Sequence, residues 1–270
     1  MLKVKQLLLL LFTFIISNTA FSQMGIAHEI GVIAGPVAFK SDYGLRTDWD
    51  TNAGNIGVGI GIVHFIDFAY LSNRYEYSIS NFFYDHFKIR TEISYNKTKL
   101  QHFGKYVDPS RTSDEAQRLR DHTGEANNFE IGMQLEFFPL SIRDFQHFSG
   151  RWAPFLSAGA HFVSYNPKVS TSYLGEGDPG NIKNLNNFYT PWSTVGLQNP
   201  IDASPGTTWA AVSSVGVRYK LTELSDLMFD IRGQYYFTDW IDGLDHGLKD
   251  NKYNDWMVWF NFGYIYYLDQ

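Results

Sequence analysis

The chain has no cysteine, which excludes a disulfide framework and a bacterial lipoprotein anchor. It is equally short of long hydrophobic runs. The one apolar stretch, residues 7–16, is about ten residues, too short for a comfortable helical span. No other run reaches 18 apolar residues, so no further transmembrane helix is expected. Positive charge is scarce as well. Lys and Arg number 22 against 28 Asp and Glu, for a net charge of −6. A nucleic-acid partner would need a basic stripe, and none is present.

The short apolar run follows Lys3 and Lys5 and precedes Ala20-Phe21-Ser22, small residues at the spacing a signal peptidase reads. Residues 1–22 are therefore expected to be a secretory signal, and residues 23–270 one domain. That signal carries two lysines and no acid, so without it the net charge becomes −8.

Aromatics are plentiful, at 17%. So is strict alternation. Phe87, Ile89, Thr91, Ile93 and Tyr95 share one face of an extended segment, and His86, Lys88, Arg90, Glu92 and Ser94 share the other. In residues 55–68, Ile56, Val58, Ile60 and Ile62 alternate with Gly57, Gly59 and Gly61. Eight such strands are legible: 28–35, 55–68, 84–97, 127–138, 152–164, 207–221, 226–238 and 255–268. Wide apolar faces opposite glycine, small polar and charged ones are the pattern of a barrel with lipid outside and a polar interior. A sheet in hydrocarbon must close to satisfy its backbone. The expected fold is all-β, an eight-stranded antiparallel up-and-down transmembrane β-barrel. Its long loops, 36–54, 98–126, 165–206 and 239–254, would be external, and its shorter turns, 69–83, 139–151 and 222–225, periplasmic.

Eight strands enclose a lumen just wide enough to be filled by side chains. Lys88, Arg90 and Arg232 are the inward cations, and Glu92, Glu130, Glu136 and Asp230 the inward anions. Buried charges need partners, so these seven are expected to form an ion-pair network that plugs the lumen. Ser157 and His161 share a strand face, but four residues is about 13 Å, too far for a nucleophile and its base. No catalytic residue, cofactor or metal is expected. The carboxylates from Asp239 to Asp255 are of the type calcium uses, yet they lack the 12-residue loop pattern. They read as a solvated acidic external loop. Residues 114–121 (DEAQRLRD) read as a short helix. In the turn 139–151, Arg143, Phe145, Phe148 and Arg151 have the aromatic and arginine character of a protein interface.

Several segments occur in a familiar order: Phe129-Glu130-Ile131-Gly132, Phe137-Phe138-Pro139, Ala153-Pro154-Phe155, Asp230-Ile231-Arg232, residues 236–242 (YFTDWID) and Asn254-Asp255-Trp256. In them the chain resembles the small outer-membrane β-barrel family of Bacteroidota that includes PorG. The resemblance spans residues 127–268 and, more loosely, 25–97. It implies a bacterial outer-membrane location and association with the type IX secretion system. It further implies periplasmic ring proteins as partners, beside the surrounding lipid, and a non-enzymatic scaffold role. The residues alone leave other readings open. One is an OmpA- or OmpW-like barrel for envelope integrity or small-solute passage. Another is an outer-membrane lipid hydrolase or protease. A soluble β-barrel binding protein is disfavoured by the broad apolar faces.

Overall fold

A computed structural model describes residues 26–46, 48–72, 78–174, 181–193, 200–248, 251 and 253–268. The expected signal at 1–22 lies outside the described residues. Nine strands form one antiparallel sheet: β1 (Ala27–Lys40), β2 (Ile56–Asp67), β3 (Phe87–Gln101), β4 (His122–Phe137), β5 (Trp152–Tyr165), β6 (Lys168–Thr171), β7 (Gly206–Thr222), β8 (Ser225–Tyr236) and β9 (Trp256–Tyr267). Four short helices lie between strands: α1 (Trp49–Asn52), α2 (Ile79–His86), α3 (Asp114–Asp121) and α4 (Ile142–Gln146). No described helix is long and apolar enough to cross a membrane.

The sheet closes. β1 pairs with β9 from Glu29↔Tyr267 to Lys40↔Trp256, and β3 pairs with β4. Asn166 and Pro167 interrupt the line of β5, and β6 resumes it against β4 in unchanged register, with Tyr165↔Asn128 followed by Lys168↔Glu125. Proline has no N–H for a ladder, which accounts for the gap. Nine strands thus make eight staves, and the chain is an eight-stranded up-and-down barrel.

The alternation assigns the two faces. Ile56, Val58, Ile60 and Ile62 point outward, with Val58 69% exposed. Similar outward rows run along β3, β4, β8 and β9, and between β5 and β7 ring pairs join Trp152 with Tyr219 and Phe162 with Trp209. An apolar surface of this extent on a closed sheet is a lipid-facing surface. Inward glycines make room in the narrow lumen. A Cβ on Gly59 would stand 2.3 Å from the Trp259 ring, and one on Gly132 would stand 1.9 Å from the His161 ring.

The structure departs from the sequence reading at strand ends. β1 continues to Lys40, and β3 and β4 run on to Gln101 and back from His122, so the loop expected at 98–126 spans only 102–121. On the outer face there, Lys97 and Lys168 each lie 3.0 Å from Glu125. An exposed ionic ladder belongs in water, so this hairpin rises beyond the apolar belt. Residues 84–86, expected in the third strand, instead complete α2, whose first turn is capped by Ser78 accepting from the Asn81 amide. Ser78 supplies a start signal that outweighs the β preference of the aromatics behind it. Residues 114–121 are helical as expected, capped by Ser113.

Ile131 pairs with Ile93 and Phe162 at the centre of the belt. Ile131→Arg should cost about 2–4 kcal/mol, whereas Thr123→Arg, on the projecting part of β4, should cost at most about 1 kcal/mol. Urea titration of the barrel folded in lipid vesicles measures both. Equal losses would misplace the belt.

Candidate functional site

All seven charged residues singled out in the sequence are buried in the lumen. Glu92 and Arg232 form its central contact. Arg232 donates from Nη1 to Oε1 at 2.7 Å and from Nη2 to Oε2 at 2.6 Å, a two-pronged bond. These residues sit on β3 and β8, four staves apart in a ring of eight, so the pair spans the full diameter. Arg90 joins it, donating to Glu92 at 2.8 Å and to Asp230 at 3.3 Å, with Glu136 at 3.5 Å. The Trp259 ring lies 5.0 Å from the Arg232 guanidinium.

Glu130 is held differently. It accepts from Asn96 Nδ2 (2.8 Å), Gln234 Nε2 (2.9 Å) and Tyr236 Oη (3.3 Å), with His161 Nδ1 at 2.9 Å. Amide, phenol and imidazole groups take the place of a lysine or arginine. Ser157 bonds to Gln134 Oε1 at 2.8 Å, and Gln134 Nε2 lies 3.1 Å from His161 Nε2. Gln134 therefore stands between the serine and the histidine.

A second tier of charge lies nearer the short-turn end, and of it the sequence reading includes only Lys88 and Glu136. Arg218 donates to Glu29 at 2.6 Å and to Glu136 at 3.2 Å. Lys88 pairs with Glu29 at 2.5 Å and Asp67 at 2.6 Å. Lys220 lies 3.4 Å from Asp226 and 3.8 Å above the Tyr267 ring. Arg218 and Lys220 alternate with the outward Val217, Tyr219 and Leu221, so the same periodicity that marks the lipid face could have found them. Asp67 is the last residue of β2, where alternation offers no further guide.

The short-turn end is closed by Phe65, Phe138 and Phe155, with Ile142 and Phe145 of α4 beneath them. The four residues expected to form an interface divide here. Phe145 is 4% exposed and faces inward as part of this closure, so it presents no surface. Arg143 is half-buried and donates to the carbonyls of Ala69 and Ser72, tying two turns together. Phe148 and Arg151 are exposed. Phe148 has φ of 59°, the one positive φ outside glycine among the described residues.

Much of the acidic loop expected to be solvated is not, and Asp250 lies outside the described residues. The loop folds over the other mouth, where Asp42, Asp242 and Asp255 are all buried. The Arg46 guanidinium gathers Asp42 (2.7 Å), Asp255 (3.2 Å) and Asp239, and Asp242 accepts from the Asp42 amide at 2.8 Å. One arginine sits where a calcium ion would have to be, and no described group of three or more potential ligands is arranged for a metal. Burial, then the charge of Asp242, pushes the Asp42 and Asp255 carboxyls well up. Burial also raises Asp239 to about 7 and Asp242 to about 6. Beside them, burial lowers His246 to about 4 and His102 to about 3.

Two outcomes follow from these charges. Glu92→Gln should destabilise the barrel by about 3–5 kcal/mol because it takes from the buried Arg232 its paired carboxylate and from Arg90 one of three. Adding Arg232→Gln should cost less than the sum of the two single changes, as read in a double-mutant cycle by urea titration. The second concerns the loop cap. Its carboxyls have folded-state values above the ordinary 3.8, so the folded cap holds protons that the open one releases. The carboxyls' share of its stability is full below about pH 4 and is lost as pH rises through about 6–7, whereas His246 and His102, held below the ordinary 6.5, favour the open cap as pH falls below about 6.5. Amides of residues 237–248 should be better protected at pH 6.5 than at pH 8, a range above the ordinary histidine value, once intrinsic exchange is corrected. Greater protection at pH 8 would contradict the shared-arginine account.

No protein-family model matches the sequence, and no curated protein matches it. Solved structures are similar. A major outer membrane protein from Thermus thermophilus aligns at 14% identity and a TM-score of 0.40, over 90% of this chain and 99% of that one. Neisserial surface protein A aligns at 11% and 0.38, over 90% and 96%. The outer membrane protein OprG from Pseudomonas aeruginosa aligns at 10% and 0.37, over 89% and 96%. The fold itself rests on the pairing described above. With eight staves closed into a ring and an apolar exterior, the chain is a transmembrane β-barrel of the bacterial outer-membrane kind.

Proposed function

We propose that this outer-membrane barrel is a non-conducting scaffold of the cell envelope, with its short-turn end in the periplasm. The observation that carries the reading is the Glu92–Arg232 pair, which crosses the lumen from stave to opposite stave. A bore filled in this way leaves the two ends of the barrel as its working surfaces. The short-turn end is built to hold a shape. Asp85 accepts from Ser141 Oγ at 3.0 Å and from the Arg143 amide at 3.1 Å, and Gln146 donates to Asp67 at 2.6 Å. These bonds fasten α2, α4 and the end of β2 into one surface on which Phe148 and Arg151 are displayed. A left-handed backbone at a bulky residue is sterically costly, and such residues concentrate at functional sites. By the resemblance to the PorG-containing family, the partner is a periplasmic ring protein of the type IX secretion system.

Two measurements test this. Purified barrel in planar bilayers should show no large, long-lived conductance steps. Phe148→Ala combined with Arg151→Ala should release the ring protein from cross-linked pull-downs while leaving the barrel folded. Shortening the loop between β6 and β7 should leave the association intact. Retention by the turn variant with loss in the loop variant would put the partner on the opposite side of the membrane.

A further inference from the structure

The long-loop end encloses a cavity of about 300 Å³, at the small end of the range of roughly 300–1,000 Å³ typical of ligand sites. Four segments distant in sequence build it. Asp42 comes from the β1–β2 loop, Phe103 and Tyr106 from the β3–β4 loop, Trp192 from the β6–β7 loop and His246 from the β8–β9 loop. Tyr106, 36% exposed, stands at its mouth, while Trp192, Asp42 and His246 are buried deeper.

The walls are set before any guest arrives. The Trp192 ring stacks on His246 at 5.3 Å with 10° between planes, and His246 Nε2 lies 3.6 Å from the Asp42 carboxylate. Behind the wall, Tyr43 Oη lies 3.1 Å from His122 Nε2, and His122 Nδ1 lies 3.0 Å from His102 Nε2. Asn251, the one amide side chain of the described lining, accepts from the Arg46 amide at 3.1 Å and donates to the Gly44 carbonyl at 2.6 Å.

This composition discriminates between guests. Among the described residues the lining contains one carboxylate and neither lysine nor arginine. Behind it lie Asp239, Asp242 and Asp255, with Arg46 as their common cation. Burial keeps both lining histidines neutral near pH 7. An anion would meet four acidic side chains against one arginine. A sugar would bring many hydroxyls to a wall whose amide is already engaged. A cation with an apolar body fits both features, since aromatic rings attract it through their faces and its charge can take the place of a proton that the crowded acids otherwise hold.

We propose that this cavity binds a small organic cation, a quaternary or protonated amine, with its charge toward Asp42 and its body against Trp192, Tyr189, Phe103 and Tyr106. The site is on the opposite end of the barrel from the scaffold surface, and neither reading depends on the other.

Choline and its neutral isostere 3,3-dimethyl-1-butanol provide the test, by isothermal titration into the intact barrel in a maltoside detergent. Choline should bind saturably, and the alcohol at least tenfold more weakly. Asp42→Asn should weaken choline at least tenfold. Because that variant also touches the Arg46 cluster, Tyr106→Leu at the exposed mouth is the companion, with a several-fold loss expected. Equal binding of the two probes would mean an apolar pocket without charge preference, and choline heats that never saturate would mean no site. Either result overturns the proposal.

Discussion

Inside a bilayer a backbone N–H or C=O has no water to turn to, and this governs everything else in the molecule. The ladder from Glu29↔Tyr267 to Lys40↔Trp256 joins the first strand to the last and removes the open edges. Its register is strongly specified. A slip of one residue would turn every side chain of β1 over, placing Glu29 in lipid and Ile30 and Val32 in the lumen. Closure at eight staves then fixes a narrow bore, and the bore dictates what can line it. A tryptophan at 259 demands a glycine at 59, and a guanidinium at 232 demands a carboxylate at 92.

Filling the lumen with ions is not the cheapest way to fill it. Desolvating a charge is expensive, and well-packed apolar residues often serve stability as well or better. Alternation offers a reason for the choice. If the inward face of β3 were apolar, residues 87–95 would be hydrophobic throughout, and several such strands would approach the composition of helical spans. Lys88, Arg90 and Glu92 break that run. Each is then matched to a partner on another stave, so the interior is cross-linked by contacts such as Arg218–Glu29 and Arg90–Asp230.

Much of this architecture is legible in one sequence because period-two alternation is local. Ile56 to Ile62 declare both faces of β2 without reference to any other strand. The central ions are equally visible, since Arg90, Glu92 and Arg232 each sit beside an outward isoleucine, Ile89, Ile93 and Ile231. Asp226 is harder to find because it lies at the start of β8, where only one side of it alternates. The loop cap is not legible at all. Asp42 meets Asp242 across a sequence separation of 200, and nothing near either residue announces the other. Counting the carboxylates of residues 239–255 yields an acidic loop, but whether such a loop is solvated depends on Arg46, far away in the chain. The helix at 79–86 is hidden for a different reason, since Phe82, Phe83 and Tyr84 look like strand residues unless the capping serine is weighed.

The hairpin of β3 and β4 does not stop at the lipid boundary. From Lys97 to Gln101 it continues for about 13 Å along the strand, with Lys97, Glu125 and Lys168 paired on its outer face. This pedestal carries α3 and the mouth near Tyr106 clear of the headgroups. A molecule travelling within the membrane plane therefore meets only the apolar belt and the ionic ladder above it. Access to the cap is from bulk water, down the long axis of the barrel, so solutes and lipids approach this protein by separate routes.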